Sequence, residues 1–281
     1  MRKRGGRIGP LQTVSTLVAS GVWDLTTQQQ QRGSGAWTAS LPVTSGLRAW
    51  FDASNSGSIT SSAGLVSQWN DVSGNGRHLT SASAGRPSTG TNTQNGLNVL
   101  TFTNGNYLSN YPVQMTMPAF TVITALKLEN TSSRMQPVAL GNSLGPGCCG
   151  GYLNLDFNTY NTVGTRYGMY TSNSAWDTSL TLTTAWTVVT WSSAAISGQS
   201  IASTTTYRVN QSSGTIIAAS VGDSNWGDIT VNRGFKIGDG GSDQTGGNFV
   251  GQMAETIFYG ASLTLSDIIL VENYLRTKWS I

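Results

Sequence analysis

The sequence is poor in the residues that do most chemistry. Among 281 residues there is one histidine, His78, there are two cysteines, and charged residues make up only 10%. Each shortage removes a class of function. His78 has no partnered nucleophile at motif spacing and sits beside Gly76, where a turn edge is expected rather than a general base. The cysteines, Cys148 and Cys149, are neighbours inside GPGCCGG. A bridge between them would close a strained ring, and two thiols do not make a zinc set, so they read as reduced thiols in a glycine loop. No run approaches the ~18 apolar residues of a membrane span. Leu11–Leu25 follows a basic start as a signal peptide does, yet Gln12, Thr13, Ser15 and Thr16 make its centre polar. The stretch GDGGSDQTGG lacks the Lys-Ser/Thr of a phosphate loop.

What fills the space is glycine, serine, threonine and asparagine around a hydrophobic fraction of 38%. That profile belongs to many short strands joined by turns, and the length allows one large β-sandwich with no second domain. The net charge of +3 is gathered at the start, in Arg2, Lys3, Arg4 and Arg7. Elsewhere no basic stripe is interleaved with aromatics, so nucleic-acid binding is not expected.

Residues 1–44 differ from the rest. Trp23 and Trp37 stand among Gly, Ser and Gln without a period of 2 or 3.6, so this segment should not close a core of its own. Leaving Ile8, Pro10, Val22, Trp23, Leu25 and Trp37 in water is unfavourable at ~25 cal/mol per Å² of apolar area. An extended arm that places them as anchors in a neighbouring subunit relieves this, and folding back on the same chain is the alternative.

From residue 45 to 281 strand signals recur. Leu153, Leu155 and Phe157 alternate with Asn154 and Asp156, and Phe120, Val122, Leu126 and Leu128 with Ile123 and Ala125. Trp186–Trp191 is apolar on both faces, as a strand covered twice should be. Phe249, Met253, Ile257 and Tyr259 are expected on one face of a late strand, with Glu255 among them. One helix is predicted near the end, with Ser266 as N-cap and Ile268, Val271 and Leu275 as its packed stripe.

Two stretches frame this region: GLRAWFDASNSGSITSSAGLVSQWNDVSGNGRHL from Gly46 and FVGQMAETIFYGASLTLSDIILVENYLRTKW from Phe249. With their W-x-D-A strand, W-x-D-x-S-G-x-G turn, F-x-G-x-x-A-E strand and YL-x-x-KW helix they resemble a LamG-like, concanavalin A-type domain. The resemblance implies an all-β fold, a two-sheet antiparallel jelly-roll sandwich with one short C-terminal helix, preceded by the extended arm. The arm itself, IGP…ASGVW-x-L…Q…W, resembles the N-terminal segment of structural proteins of marine and cyanobacterial tailed phages. That implies a virion component on the particle surface, bound to other capsid or tail proteins as a tail fibre or head decoration. By analogy with such appendages it implies a homo-oligomer, a trimer among the options.

Jelly-rolls of this type include glucanases, which need two carboxylates facing one bond. Glu129 lies in a turn, Glu272 on the predicted helix, and Glu255 stands alone without the E-x-D-x-x-E pattern of that family. No catalytic residue is assigned, and the chain is expected to be non-enzymatic. The alternative to a structural role is a carbohydrate-binding module that engages a host surface glycan. Its best candidates are Trp176 with Asp177, and Asn225, Trp226 and Asp228, read as loop aromatics beside hydroxyl-reading groups, with Tyr160 and Tyr170 near them. Asp239 and Asp243 in a glycine-rich loop are the weak calcium candidates. No other cofactor is indicated. Asp71 is expected to bond the backbone of the Ser73–Gly76 turn.

Overall fold

The computed structural model describes residues 40–81, 85–110, 115–116, 119–141, 153–158, 165–171, 174–194, 200–217, 232–239 and 247–281. Residues from Pro42 to Ile281 form one compact unit. The arm residues Ile8, Pro10, Val22, Trp23, Leu25 and Trp37 lie outside the described residues, as do Cys148 and Cys149.

In chain order the strands are β1 Leu47–Asp52, β2 Ile59–Ser62, β3 Leu65–Trp69, β4 Leu79–Thr80, β5 Thr93–Gln94, β6 Leu97–Asn98, β7 Leu100–Phe102, β8 Leu108–Ser109, β9 Met115–Thr116 and β10 Phe120–Leu128. They continue as β11 Met135–Gly141, β12 Leu153–Phe157, β13 Arg166–Thr171, β14 Ser174–Thr181, β15 Thr187–Ser193, β16 Thr205–Val209, β17 Ser212–Gly214, β18 Ile216–Ile217, β19 Asn232–Ile237 and β20 Gly251–Tyr259. A four-residue helix, α1 (Ile201–Thr204), precedes β16, and a longer one, α2 (Leu265–Trp279), closes the chain.

Two antiparallel sheets carry the architecture. The smaller runs β1-β20-β10-β15-β16-β17 with β7 added beside β20. The larger runs β18-β14-β13-β12-β11-β19-β8-β4-β3-β2 with β9 beside β19. The alternation seen in the sequence decides what each sheet buries. In the smaller sheet Ala49, Phe258, Val122, Trp191 and Tyr207 pair across successive strands. In the larger, Leu108, Ile237, Val138, Leu155, Met169 and Trp176 do the same. All these side chains belong to one apolar cluster. The two inner faces therefore share a single core, with Phe235 of one sheet stacked on Phe258 of the other at 4.1 Å between ring centres. Two tyrosines cross that core: the Tyr207 hydroxyl donates to the Gly168 carbonyl at 3.2 Å and the Tyr167 hydroxyl to Thr187 Oγ1 at 3.3 Å. Satisfying these hydroxyls keeps buried polar atoms from destabilising the core. Burial pushes both phenols above their usual pKa.

The smaller sheet is covered on its other face too, by α2, and this is why every residue of β15 is buried. The helix begins at Thr264, whose hydroxyl oxygen accepts from the Asp267 amide, and not at Ser266 as the sequence suggests. Asp267 in the first turn and Arg276 and Lys278 in the last complement the helix dipole. Ile268, Val271, Leu275 and Trp279 make the buried stripe.

A bulge corrects the expected phase of β20. Ala125 pairs with Glu255 but Leu126 pairs with Met253, so Ala254 is an extra residue. Phe249 and Met253 face the core before it, and Phe258 after it. Glu255, Ile257 and Tyr259 turn instead to the helix side, away from the face assigned to them by strict alternation. Gly251 begins the strand with φ +158, where a Cβ would collide with the Lys127 carbonyl oxygen. That close approach accounts for the glycine in F-x-G-x-x-A-E.

Candidate functional site

Two outer faces gather polar side chains, and the framing motifs meet on the first. Glu255 is fully buried between the smaller sheet and α2. Its Oε1 accepts from the Trp50 indole at 2.6 Å and the Tyr274 hydroxyl at 2.9 Å. Its Oε2 accepts from Lys278 Nζ at 2.7 Å and the Trp279 indole at 2.9 Å. Lys278 also pairs with Asp52 at 2.7 Å. One carboxylate thus joins the opening W-x-D-A strand to the closing YL-x-x-KW helix. Burial above all, then the Asp52 carboxylate, push Glu255 up to about 7, while Lys278 and the Trp279 indole hold it down. Farther along, Glu272 accepts from Nε and Nη2 of Arg208 (3.0 and 3.1 Å) and from the Thr190 hydroxyl (2.8 Å). With all four donors placed and the carboxyl out of solvent, Glu255 is a fastening of the fold with no room for a substrate.

The second opening motif is likewise wired for structure. Asp71 accepts from the amides of Trp50 (3.0 Å), Ser73 (2.9 Å) and Arg77 (2.9 Å), holding the Ser73–Gly76 turn in which Gly74 and Gly76 adopt positive φ. His78 Nδ1 accepts from the Asp71 amide at 3.1 Å, which assigns the lone histidine to the same turn.

The outer face of the larger sheet is different in kind. One cross-strand row runs Ser109, Lys236, Ala139, Asn154, Tyr170, Ala175. The next holds Asp156, two residues beyond Asn154, and Gly168 paired with Asp177. Alternation on β12 puts Asn154 and Asp156 here because Leu155 and Phe157 are in the core. Arg134 reaches over to Asp156 with a 2.5 Å contact from Nη2 and sits over the Tyr170 ring. Gln136 Nε2 adds a 2.9 Å donor to Asp156. Burial raises the Asp156 carboxyl above its usual value, against the hydrogen bonds and charge of Arg134 and the amide of Gln136. Lys236 pairs with Asp239 at 2.6 Å and lies over the Tyr107 ring. Asn154 Oδ1, in a residue only 1% exposed, has no hydrogen-bond partner.

The sequence-predicted residues divide over this geometry. Asp177 is on the polar face, and Tyr170 with it. Trp176 is not a loop aromatic: it lies on β14, 3% exposed, in the core between the sheets. Adjacent residues of a strand point to opposite faces, so Trp176 and Asp177 cannot serve one ligand. Asn225, Trp226, Asp228 and Tyr160 lie outside the described residues. Of the calcium candidates, Asp239 is engaged by Lys236, and Asp243 lies outside the described residues. Arg134, Gln136, Asn154 and Lys236 were missed as site residues; the polar half of the L-N-L-D-F alternation was the available signal.

No protein-family model matches the sequence, and no curated protein matches it by sequence. Solved structures share its fold. Domain 4 of AbnA, an extracellular arabinanase from Geobacillus stearothermophilus, in complex with arabinotriose, aligns over 81% of this chain and 97% of that one, with 14% identity and a TM-score of 0.52. An arabinofuranosidase complexed with arabinofuranosyl-α-1,2-xylobiose aligns over 76% of this chain at 15% identity and TM-score 0.55. A mutant Trypanosoma rangeli sialidase displaying trans-sialidase activity aligns over 91% at 15% and 0.52. This chain spans about half of the arabinofuranosidase (51%) and 38% of the sialidase. These likenesses establish a fold held in common with parts of glycan-processing enzymes. They correct the expectation of a non-enzymatic chain, which rested on the lack of an E-x-D-x-x-E pattern, because the solved proteins that share the fold include glycoside hydrolases.

Proposed function

We propose that this chain is a glycan-recognising domain of the concanavalin A/LamG jelly-roll type, with the outer face of its larger sheet as the ligand face. The observation that carries the reading is the polar array on this face, with the partly exposed Arg134 and Tyr170 set over buried Gln136, Asn154, Asp156 and Lys236. Sugars are read by planar amides, carboxylates and guanidinium groups held rigidly on strands, and such pre-organisation keeps the entropic cost of binding low. The shared fold supports it, since the arabinanase domain was solved with arabinotriose. Affinity electrophoresis of the whole chain through gels containing arabinan, xylan or host-surface polysaccharide tests it. Retardation in at least one gel is expected, and free migration in all would end the proposal. Release of reducing ends in the same samples would make the face an active site.

The resemblance of residues 1–44 to phage structural proteins supports a placement for this domain, display on a tailed-phage particle by an anchoring arm. Incorporation of the chain into particles, and its loss on deleting residues 1–40, are the expected results; a truncated chain that still loads normally would refute the arm.

A further inference from the structure

A helix lying on a sheet ordinarily turns a charged side to solvent. Helix α2 does not. Its outward stripe is Ser266, Leu270, Asn273 and Thr277, all exposed and none charged. The four charged residues of the helix are engaged elsewhere. Glu272 pairs with Arg208, and Lys278 with Asp52 and Glu255. Asp267 accepts from the Thr264 hydroxyl, and Arg276 donates to the Ile281 carbonyl. Leu265 and Leu270, at 54% and 50%, are the two most exposed large apolar residues among those described. The neutral surface runs on past the helix. Ser262 and Thr264 are exposed ahead of it, Asn95 is exposed where it donates to the Lys278 carbonyl, and Gln211 reaches Asn273 from the side. A lone exposed leucine is ordinary, whereas a continuous uncharged strip marks a contact surface.

Charge and symmetry decide what fits there. The centres of protein interfaces are depleted of charged residues, as this stripe is. About the point between Val271 and Glu272, Ser266 mirrors Thr277 and Leu270 mirrors Asn273. A second copy turned about a two-fold axis at that point lays the helix antiparallel on itself, hydroxyl beside hydroxyl at each end. With a rise of about 1.5 Å per residue, the two Leu270 side chains are then offset by about 4.5 Å along the helices, close enough to pack. The ends are complementary too. Asp267 lies in the first turn and Arg276 in the last. Antiparallel pairing sets the acidic first turn of each copy beside the basic last turn of the other and opposes the two helix dipoles. Parallel pairing would set like charges together. We infer that the outward stripe of α2 is a self-complementary, two-fold contact between two copies of this chain, with Leu270 at its centre. One face of a helix about 22 Å long buries less than a permanent interface needs, so the dimer is reversible and forms as concentration rises.

Analytical ultracentrifugation of the whole chain across a micromolar concentration series tests this. Wild type should pass from monomer to dimer. Leu270→Lys and Leu270→Glu should each weaken dimerisation about tenfold or more, because like charges then meet at the axis. An equimolar mixture of the two variants should dimerise again, because opposite charges meet there instead. Leu65→Lys alters an exposed leucine of the larger sheet and should leave association unchanged. Wild type that stays monomeric throughout would overturn the second copy as occupant and leave the stripe to an unlike protein. Wild-type dimerisation in either Leu270 variant would overturn the surface, as would an equal loss in Leu65→Lys. Loss without rescue in the mixture, or a trimer in place of a dimer, would overturn the two-fold geometry.

Discussion

The two outer sheet faces bury acids and bases in similar number but finish the job differently. On the smaller sheet, Glu255 and Glu272 have their oxygens filled by donors from strand and helix, and α2 closes over them. On the larger sheet, Asp156 is held by Arg134 and Gln136 while Asn154 beside it is left with an unmet oxygen. A completed network fastens elements together, whereas the other leaves one buried acceptor unmet. Buried ionic groups are tolerable in the first case because each is paired, and breaking a pair is costly because the survivor stays buried.

The comparison can be broken most sharply at Glu255. Glu255→Ala removes the acceptor of two indoles, one phenol and one ammonium, and should cost about 3–5 kcal/mol in urea unfolding. A loss under about 1 kcal/mol would mean that the helix is held by its apolar stripe alone. Next comes pH. Glu255 is pushed up to about 7 in the fold by burial and Asp52, with Lys278 and the Trp279 indole against it. An unfolded glutamate titrates near 4.3. Between those values the folded chain holds the extra proton, so stability should fall as pH rises from about 4.5 to 7 and then level, by about 3–4 kcal/mol at most. Glu255→Gln should flatten that slope in melts taken across the window; an unchanged slope would place the titrating group elsewhere. Thr264→Ala, which removes the cap of α2, should cost about 1 kcal/mol by urea unfolding and loosen the same face. Asn154→Ala on the other sheet should shift stability by less than about 0.5 kcal/mol or raise it. A large loss there would erase the distinction between the two faces.

Much of this was readable from residues. The W-x-D-x-S-G-x-G turn was correctly read around Asp71 because an aspartate two residues before a glycine-bearing turn bonds locally. The alternation of β12 and β10 was readable because each runs without interruption. Two features were hidden for a common reason: they depend on which strand lies alongside. Trp176 in TSNSAWDTS has the composition of a loop, and only pairing with β13 makes it a strand residue facing the core. Glu255 was put on the apolar face of β20 because nothing in QMAETIFY marks Ala254 as the extra residue; the bulge exists only against β10. The open acceptor of Asn154 was beyond sequence altogether, since an absent partner is a property of the whole packed face.

That extra alanine makes β20 a strand with two reading frames. Ahead of it, odd-numbered positions look inward; behind it, even-numbered ones do. Deleting Ala254 would merge the two frames into one regular ladder and keep Met253 and Phe258 inward, whereas deleting Thr256 would turn Phe258 to the helix side. Length beyond the bulge is therefore more tightly constrained than residue identity, and conservative substitutions between Glu255 and Tyr259 should be tolerated far better than a single-residue deletion there.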